Sequence, residues 1–447
     1  MYTTFYLSLF ISSYLLSVIA CTPKQVKDPA LSGEDHLSIT ADGAWCWFSD
    51  PRAVYHQGNH RRTYSGWVDS KGNIVVGFYD HQNGTIETKV IDPELEIDDH
   101  DNPSLFFDPE GKLMVFYSLH SSTSPIRLAR AKYPESITEW EPVQNLAIND
   151  TTEFPGASNT YTYTNICQLS KEDNLLYLFW RGVDFKPNYS TSSDNGLSWD
   201  SGNILILPER TYGNRRPYLK MSSNYKDVIH FAFTDGHPNK EPTNSIYYAQ
   251  YKNGKLLKAN GERIKEWSEL PLDPAESDMV YDASETLEKA WIWDVAGNAQ
   301  DDPIIVYSRF PNDSTHVYYY ALWKDDKWKN IKLVNSGKWF PETPSGKIER
   351  EPNYSGGIIL NHNDPSMVFL SREINGVFEI EQWKTEDQGE NWAVTAITAN
   401  SKFNNIRPFV ARNHPQEDSP MVLWMNIRNY VHYTNFDSSI KMYKQNF

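Results

Sequence analysis

The feature that most constrains this chain is a recurring group of short strand-forming runs, spaced about 40 to 60 residues apart. Beyond residue 21 no stretch keeps helical periodicity over three turns, and short apolar or alternating runs end at Gly, Asn, Asp or Pro. Seven such groups cover residues 44–55 with 62–91, 102–133, 161–208, 216–257, 278–334, 353–399 and 405–443. They predict one all-β domain, a seven-bladed β-propeller over residues 35–447.

Two octets strengthen this prediction. SSDNGLSW (192–199) and TEDQGENW (385–392) both fit the pattern Ser/Thr-x-Asp-x-Gly-x-x-Trp, which resembles the Asp box of sialidase-type propellers. In such a turn the Asp side chain accepts backbone N–H bonds, Gly allows a positive φ, and Trp packs onto the blade. We therefore interpret Asp194 and Asp387 as structural and not catalytic.

The N-terminus has the pattern of an export signal. Residues 1–20 are almost entirely apolar or small, but too few to count as a flanked membrane span. Val18, Ile19 and Ala20 precede Cys21, as at the cleavage site of bacterial lipoproteins, although no Lys or Arg precedes Cys21. We expect a signal peptide, lipidation of Cys21 and a linker over 21–34, hence a protein of the periplasm, outer membrane or surface of a Gram-negative bacterium. The alternative is an unlipidated secreted protein.

Charge limits the possible binding partners, and cysteine content limits what can stabilise the fold. The net charge of -16 argues against nucleic acid, and an anionic polymer would need a local cluster of Arg and Lys in order to bind. Only Cys46 and Cys167 remain after Cys21, so a disulfide framework does not hold the fold together. The aromatic content of 14% favours strands and sugar-stacking surfaces. We expect a monomer that contacts a membrane through its anchor.

Two histidines lie at matching ends of a predicted hairpin. His100 precedes the strand in DDHDNPSLFF, and His120 follows the strand in MVFYSLHSS, with a DPEGK turn between the two strands. Pairing across that turn brings the start of the first strand next to the end of the second. Both imidazoles are therefore predicted to reach one pocket, where histidine suits proton transfer near neutral pH.

The next two groups repeat this arrangement. Tyr163 begins the strand of YTYTNICQLS, and Arg181 ends its partner in LLYLFWRG, where its planar fork can hold a carboxylate. The fourth group offers further substrate-binding candidates in NRRPYLK and FTDGHP, with aromatic packing or a solvated strand face as the alternative role; these candidates are Arg216, Tyr218, Lys220 and His237.

These residue types suit β-elimination at a uronic acid. That reaction neutralises the carboxylate, removes the C5 proton and protonates the leaving oxygen, which are tasks for Arg, His and Tyr. A glycosidase instead needs two carboxylic acids flanking the bond, and no comparably placed pair is evident, although Asp99, Asp101, Asp235 and Asp294 are available.

The ordered motifs GAWCWFSDPRAVY, DDHDNPSL, YSLHSS, TYTN, FWRG, RRPYLK, FTDGHP, WIWD and YSGGI resemble those of BNR-repeat carbohydrate-active propellers. The resemblance covers nearly the whole mature chain and looks nearest to the seven-bladed ulvan lyase families. It implies a catalytic set at His100, His120, Tyr163 and Arg181, with Tyr218 matching a further family tyrosine. It also implies the substrate, ulvan, a sulfated algal polymer of rhamnose and glucuronic or iduronic acid.

The same scaffold hosts related activities, so alternatives stay open. One is a dehydratase that removes the C4 hydroxyl of a non-reducing terminal uronate from ulvan oligosaccharides, with the same Arg, His and Tyr. Others are an α-rhamnosidase and a non-catalytic glycan-binding propeller. We expect no required cofactor. Some relatives hold a structural ion, but His81, His230 and His237 are scattered and show no zinc or calcium spacing.

Overall fold

The computed structural model describes residues 1, 30–210, 215–340, 343, 347–415 and 420–444. The described strands form seven antiparallel sheets, which are the seven blades of a β-propeller. The signal peptide and the lipidation site at Cys21 lie outside the described residues, so both stay predictions. None of the helices in the described ranges is long and apolar enough to cross a membrane.

The strands of the first three blades follow one another in the chain, after β1 (Leu37–Thr40). Blade 1 contains β2 (Ala53–Gln57), β3 (Arg61–Val68), β4 (Ile74–Asp80) and β5 (Ile86–Asp92). Blade 2 contains β6 (Ser104–Phe107), β7 (Leu113–Tyr117), β8 (Ile126–Arg130) and β9 (Gln144–Leu146). Blade 3 contains β10 (Thr162–Leu169), β11 (Leu175–Arg181), β12 (Pro187–Ser192) and β13 (Asn203–Ile204).

Blade 4 is the largest sheet, with six strands. They are β14 (Leu219–Ser223), β15 (Val228–Thr234), β16 (Ile246–Lys252), β17 (Lys255–Leu257), β18 (Arg263–Glu266) and β19 (Asp278–Tyr281). Blade 5 contains β20 (Lys289–Gly297), β21 (Pro303–Asn312), β22 (Thr315–Lys324) and β23 (Lys327–Gly337).

The last two blades complete the ring. Blade 6 contains β24 (Ile358–Leu360), β25 (Met367–Ile374), β26 (Val377–Lys384) and β27 (Ala393–Ala396). Blade 7 contains β28 (Asn404–Val410), β29 (Met421–His432) and β30 (Asn435–Lys444). In the described ranges the helices are one α-helix, α1 (Ala283–Thr286), and 3-10 turns at Gly33–Asp35, Asp99–Asp101, Val183–Phe185, Pro208–Arg210, Trp267–Glu269 and Pro274–Glu276.

Strands from near the beginning and the end of the described chain pair to close the ring. Strand β1 pairs with β30 and supplies the outer strand of blade 7, so that blade is built from both ends of the domain. Backbone bonds between blades 1 and 7 add to this closure, with Tyr55 N–H donating to Arg412 C=O at 2.8 Å. Because the last blade needs a strand from the first part of the chain, the ring is expected to unfold as one unit.

The seven predicted groups are confirmed as blades, but several of their boundaries were wrong. Blade 2 extends past residue 133 to include β9, and blade 4 extends past residue 257 to include β18. Strand β19, predicted to begin the fifth group, pairs with β16 of blade 4. These outer strands are short and partly exposed, so they carry little of the apolar periodicity on which the prediction depended.

The segment just before blade 1 fills the centre of the ring. Trp47 stacks on Trp293 of blade 5 with ring centroids 4.4 Å apart, and Phe48 packs against Tyr163 and Tyr218 of blades 3 and 4. Both segment side chains are at most 2% exposed. Large aromatic groups are well suited to this position, because each buries a large apolar area and reaches several blades at once.

The two Asp-box turns have the predicted geometry. In the first, Ser198 N–H donates to Asp194 Oδ1 at 2.9 Å, and in the second Asn391 N–H donates to Asp387 Oδ1 at 2.8 Å. Gly196 has a φ of +79°, as the turn requires. Both turns connect the third and fourth strands of their blades, at the outside of the ring, in agreement with a structural role.

Candidate functional site

A cavity of about 120 Å³ lies at the centre of the ring, between side chains from blades 2 to 7 and from the segment before blade 1. It is lined by Cys46, Trp47, Phe48, His100, His120, Tyr163, Tyr218, His237, Trp291, Glu351, Tyr354 and Tyr433. A concave site with aromatic walls and a few converging polar groups is typical of small-ligand and sugar-ring binding.

The two predicted histidines meet in this cavity. Their rings stack with centroids 4.1 Å apart and an interplanar angle of 10°. Asp98 bridges them: its Oδ1 accepts from His100 Nδ1 at 2.6 Å, and its Oδ2 accepts from His120 Nδ1 at 2.8 Å. Asp98 also caps the short turn that carries His100, by accepting from the His100 backbone N–H at 2.9 Å. One carboxylate therefore fixes the position of both rings and, in a neutral ring, places the proton on Nδ1.

The surroundings of the two imidazole rings shift their pKa values in opposite directions. Burial opposes protonation of His100, but Cys46 and the Asp98 carboxylate hold the pKa of His100 well above its ordinary value. Burial, together with the neighbouring positive charge of His100, lowers the pKa of His120 to about 4. Burial would raise the pKa of Asp98, but the two imidazoles hold it well below its usual range. At neutral pH the site contains an imidazolium, a carboxylate and a neutral imidazole with Nε2 as an acceptor.

Arg181 and Tyr163 lie beside the histidines, as the hairpin geometry of blade 3 predicts. The guanidinium of Arg181 is centred 4.6 Å from the Tyr163 ring and donates to Tyr218 Oη at 3.0 Å and to Ser121 Oγ at 2.7 Å. Burial opposes its charge, yet the surrounding phenols Tyr163 and Tyr218 raise the pKa of Arg181 above its ordinary value. Arg181 is therefore a fixed cation next to the cavity.

The backbone at Tyr163 is strained. Its φ is +61°, a left-handed conformation that is unusual for an aromatic residue, and it lies in a bulge between Thr162 and Asn165. Asn165 Nδ2 donates to Tyr163 C=O at 2.9 Å and so supports the bulge. Burial outweighs the pull of Arg181 and raises the pKa of Tyr163 well above 10, which keeps the phenol protonated. Strain of this kind is often found where a side chain must be aimed into a site.

The structure places two of the other predicted substrate-binding residues in the cavity lining and one outside it. Tyr218 and His237 line the cavity, and the rings of both pack against Trp291. Arg216 is exposed and stacks on Phe185 at 3.7 Å from the ring centroid, outside the residues that line the cavity. Its contact with substrate stays a prediction.

Lys220, the fourth predicted substrate-binding residue, lies in the interior of the ring. It is fully buried, its ammonium forms an ion pair with Asp50, and it donates to Trp47 C=O at 2.5 Å. Lys220 and Tyr218 share a face of the blade-4 inner strand, but Lys220 lies two residues further along, about 6.6 Å deeper. Lys220 is not among the residues that line the cavity and its charge is paired with Asp50, so its contact with substrate stays a prediction.

Replacing Lys220 with methionine is expected to lower the free energy of unfolding by about 3 kcal/mol, because a buried carboxylate loses one of its partners. Asp50 keeps its bond to Arg52 Nε at 2.9 Å, which places the cost near the lower end of the range for broken buried pairs. Urea unfolding measures the stability, and substrate kinetics on the folded fraction measure KM. A variant of normal stability with a raised KM would instead support a substrate contact.

The sequence prediction missed several cavity residues. Asp98 has a visible signal, because it lies two positions before His100 in the motif already selected. Glu351, Tyr354 and Tyr433 come from the loop before blade 6 and from the β29–β30 turn, far from the other motifs in sequence. Tyr433 packs edge-on against His100, with centroids 4.6 Å apart. Only the closed ring brings these residues next to the histidines.

Two groups of described residues bring three potential metal ligands together: Cys46, Asp99 and His100, and Asp98, His100 and His120. The donor atoms of the second group are already joined by hydrogen bonds. His100 belongs to both groups, and a protonated imidazole cannot ligate a metal ion. Neither group fits an ion while His100 keeps its second proton, and a structural ion stays a prediction.

Comparison with known proteins agrees with this architecture. A family model described as "BNR repeat-containing family member" matches residues 62–336. The chain belongs to this family. The BNR-repeat chain is also 27% identical over 175 residues to an ulvan lyase of Alteromonas sp. (strain LOR), covering 34% of this chain and 33% of that protein. The match thus spans about a third of the length of this curated relative.

Solved structures resemble the BNR-repeat chain over nearly its full length. One is titled as a polysaccharide lyase of family PL25, an ulvan lyase bound to -[GlcA(1-4)Rha3S]-; its TM-score is 0.68 at 16% identity, with 91% of this chain and 94% of that chain covered. The polysaccharide lyase Uly1 has a TM-score of 0.55 at 10% identity, with 91% and 97% covered. At these identities the likeness establishes the fold, the seven-bladed propeller.

Proposed function

We propose that this BNR-repeat protein is a carbon–oxygen lyase that acts by β-elimination at a glucuronic or iduronic acid of ulvan or its oligosaccharides. The observation that carries the proposal is the bridging of His100 and His120 by Asp98 beside Arg181, in surroundings that raise the pKa of His100 and lower the pKa of His120. The stretch that is similar to an ulvan lyase supports the choice of substrate.

Each part of the elimination has a candidate residue. Arg181 binds the carboxylate and stabilises the negative charge that develops as C5 loses its proton. His120 Nε2 takes that proton as general base, since its Nδ1 is bonded to Asp98. The electron pair of the C5–H bond forms the C4–C5 double bond, the C4–O bond breaks, and Tyr163 donates its phenolic proton to the leaving oxygen. The protonated His100 adds positive charge near the developing anion.

A second candidate is supported by the shape of the site. The cavity is small, with a volume of about 120 Å³, which suits one terminal sugar ring better than several consecutive rings. A dehydratase would then remove the C4 hydroxyl of a non-reducing terminal uronate as water, with the same residues. An α-rhamnosidase is disfavoured, because Glu351 is the one Asp or Glu among the described residues that line the cavity, and glycosidases use two.

The decisive experiment follows the ultraviolet absorbance of the 4,5-unsaturated uronate during incubation with ulvan polymer and with ulvan oligosaccharides. A rise in absorbance is expected with at least one of them, whereas a non-catalytic glycan-binding protein would give none. Chromatography of the products then distinguishes the two eliminations, because a lyase shortens the chain and a dehydratase removes only water. The absence of any absorbance change with every substrate would contradict the elimination mechanism.

Export and anchoring complete the proposal. Residues 1–20 and Cys21 would place the enzyme at the membrane surface, where it meets algal oligosaccharides. The monomeric state and the anchor depend on sequence alone and stay proposals.

A further inference from the structure

The cavity has a basic side and an acidic side. Arg181 of blade 3 lies behind the lining residues Tyr163 and Tyr218, which it contacts, whereas Glu351 lines the cavity from the loop that leads into blade 6. Consecutive blades are neighbours in the ring, so blades 3 and 6 lie on opposite sides of the central axis. On the basic side His237 has its pKa lowered to about 3 by burial and by the charges of Arg181 and Lys240. On the other side, Glu351 is the carboxylic residue of the lining.

Glu351 is surrounded by both acidic and basic groups, so their effects on its charge oppose one another. Its side chain is 15% exposed, and its closest ion-pair partner among the described residues is His432, whose Nε2 is 3.7 Å away. The charge of Asp99 is paired with Arg407 at 2.6 Å. The titratable and charged groups that face or surround Glu351 are Asp99, His100, Glu349, Arg350, Tyr354, His432 and Tyr433.

Burial dominates in this setting. It outweighs the attraction of His100 and raises the pKa of Glu351 to about 7, with Glu349 adding to the rise. A carboxyl group in the lining of the cavity therefore changes its charge close to neutral pH, while Arg181 keeps its charge throughout.

We propose that Glu351 couples substrate binding to protonation: the cavity accepts the uronate anion while the Glu351 carboxyl is neutral and donates a hydrogen bond to a sugar hydroxyl. The inference rests on the proposed function, since it requires a uronate as substrate. With the C5 carboxylate on Arg181, the ring hydroxyl carbons farthest from it, C2 and C3, point toward the Glu351 side. Glu351 therefore selects a ring whose far side carries free hydroxyls in place of a second anionic group.

The physical reason is the cost of a second negative charge in a poorly hydrated cavity. An ionised Glu351 would repel the bound uronate, and the interaction between like charges is stronger where water is excluded. Binding of the anion in turn favours the protonated form, so a proton is taken up with the substrate above the pKa of the free enzyme. The affinity is constant below that pKa and falls by about tenfold for each pH unit above it.

The test compares kcat and KM for a uronate-terminated ulvan oligosaccharide at about pH 6 and about pH 8. We expect KM of the unmodified protein to rise about tenfold between these two values, with kcat changed much less. Glu351→Gln keeps the hydrogen-bonding amide without the charge, so its KM should stay constant and near the low-pH value of the unmodified protein. Glu87→Gln, on the exposed strand β5, removes the same charge outside the cavity and should retain the normal pH dependence.

A binding measurement separates this inference from the proposed function. NMR titration with D-glucuronate gives the Kd at both pH values without any turnover. If no oligosaccharide reacts, the proposed function fails, but a Kd for glucuronate that weakens with pH only when Glu351 is present still supports the coupling. The same pH dependence in Glu351→Gln as in the unmodified protein, or a Kd and KM that do not change with pH, would overturn it.

Discussion

Arg181→Ala is expected to lower kcat by about 10² to 10³, the usual loss when one electrostatic contact to a transition state is removed. Arg181 is 6% exposed, so the carboxylate that it binds is largely removed from water. Its Nε has no hydrogen-bond partner among the described residues, which leaves a donor of the fork unpaired. Without the guanidinium, charge developing at C5 would lie among Tyr163, Tyr218 and the histidines, with only the imidazolium of His100 as a counter-charge. The initial rate of unsaturated-uronate formation measures the effect.

Arg181→Lys serves as the matched variant. It keeps a positive charge but loses the planar fork that bonds Tyr218 and Ser121 at once, so we expect it to be severely impaired as well. Thermal unfolding is the control, because both variants must remain folded for the comparison to hold. Near-normal turnover by a folded Arg181→Ala would show that the carboxylate binds elsewhere, with Arg216 as the next candidate.

The parts of this site that were predictable are those built by a single hairpin. His100 and His120, and likewise Tyr163 and Arg181, lie at the open end of a two-strand hairpin, opposite its turn, so local pairing is enough to bring them together. The number of blades was also predictable, because each blade repeats the same pattern of apolar strands and turns. Both conclusions depend on short-range geometry.

The parts of the site that the sequence did not predict depend on contacts between distant parts of the chain. Glu351 and Tyr433 reach the histidines only because blades 6 and 7 complete the ring, and one sequence does not encode that proximity in any local pattern. Lys220 shows a second limit: strand periodicity gives the face of a side chain but not its depth along the central axis. The role of the segment before blade 1 as the central filling was likewise invisible, since its aromatic residues show no period.

His120→Ala is expected to lower kcat by about 10² to 10⁴, the range for loss of a general base. Burial and the neighbouring charge of His100 lower the pKa of His120 to about 4, so the ring is unprotonated and able to accept a proton throughout the neutral range. His120 loses its ability to accept a proton only when the pH falls below that pKa. The decrease of kcat/KM at acidic pH should therefore lie near pH 4 and not near pH 6.5, the ordinary pKa of histidine. Initial rates over an acidic pH series, corrected for unfolding, measure this limb.

Three variants determine whether the ring is the base or only part of the framework. Added imidazole should partly restore the activity of His120→Ala, because a free base can enter the space left by the ring, whereas a purely structural loss would not respond. Asp98→Asn keeps the size of the bridging residue but removes the charge that orients both rings, and we expect a comparable loss without rescue by imidazole. His81→Ala changes a histidine outside the cavity, bonded to Thr63, and should leave the rate unchanged. Full activity of a folded His120→Ala would show that His100 or Tyr163 is the base instead. A decrease of kcat/KM near pH 6.5 would show that His100 does not carry its positive charge beside His120.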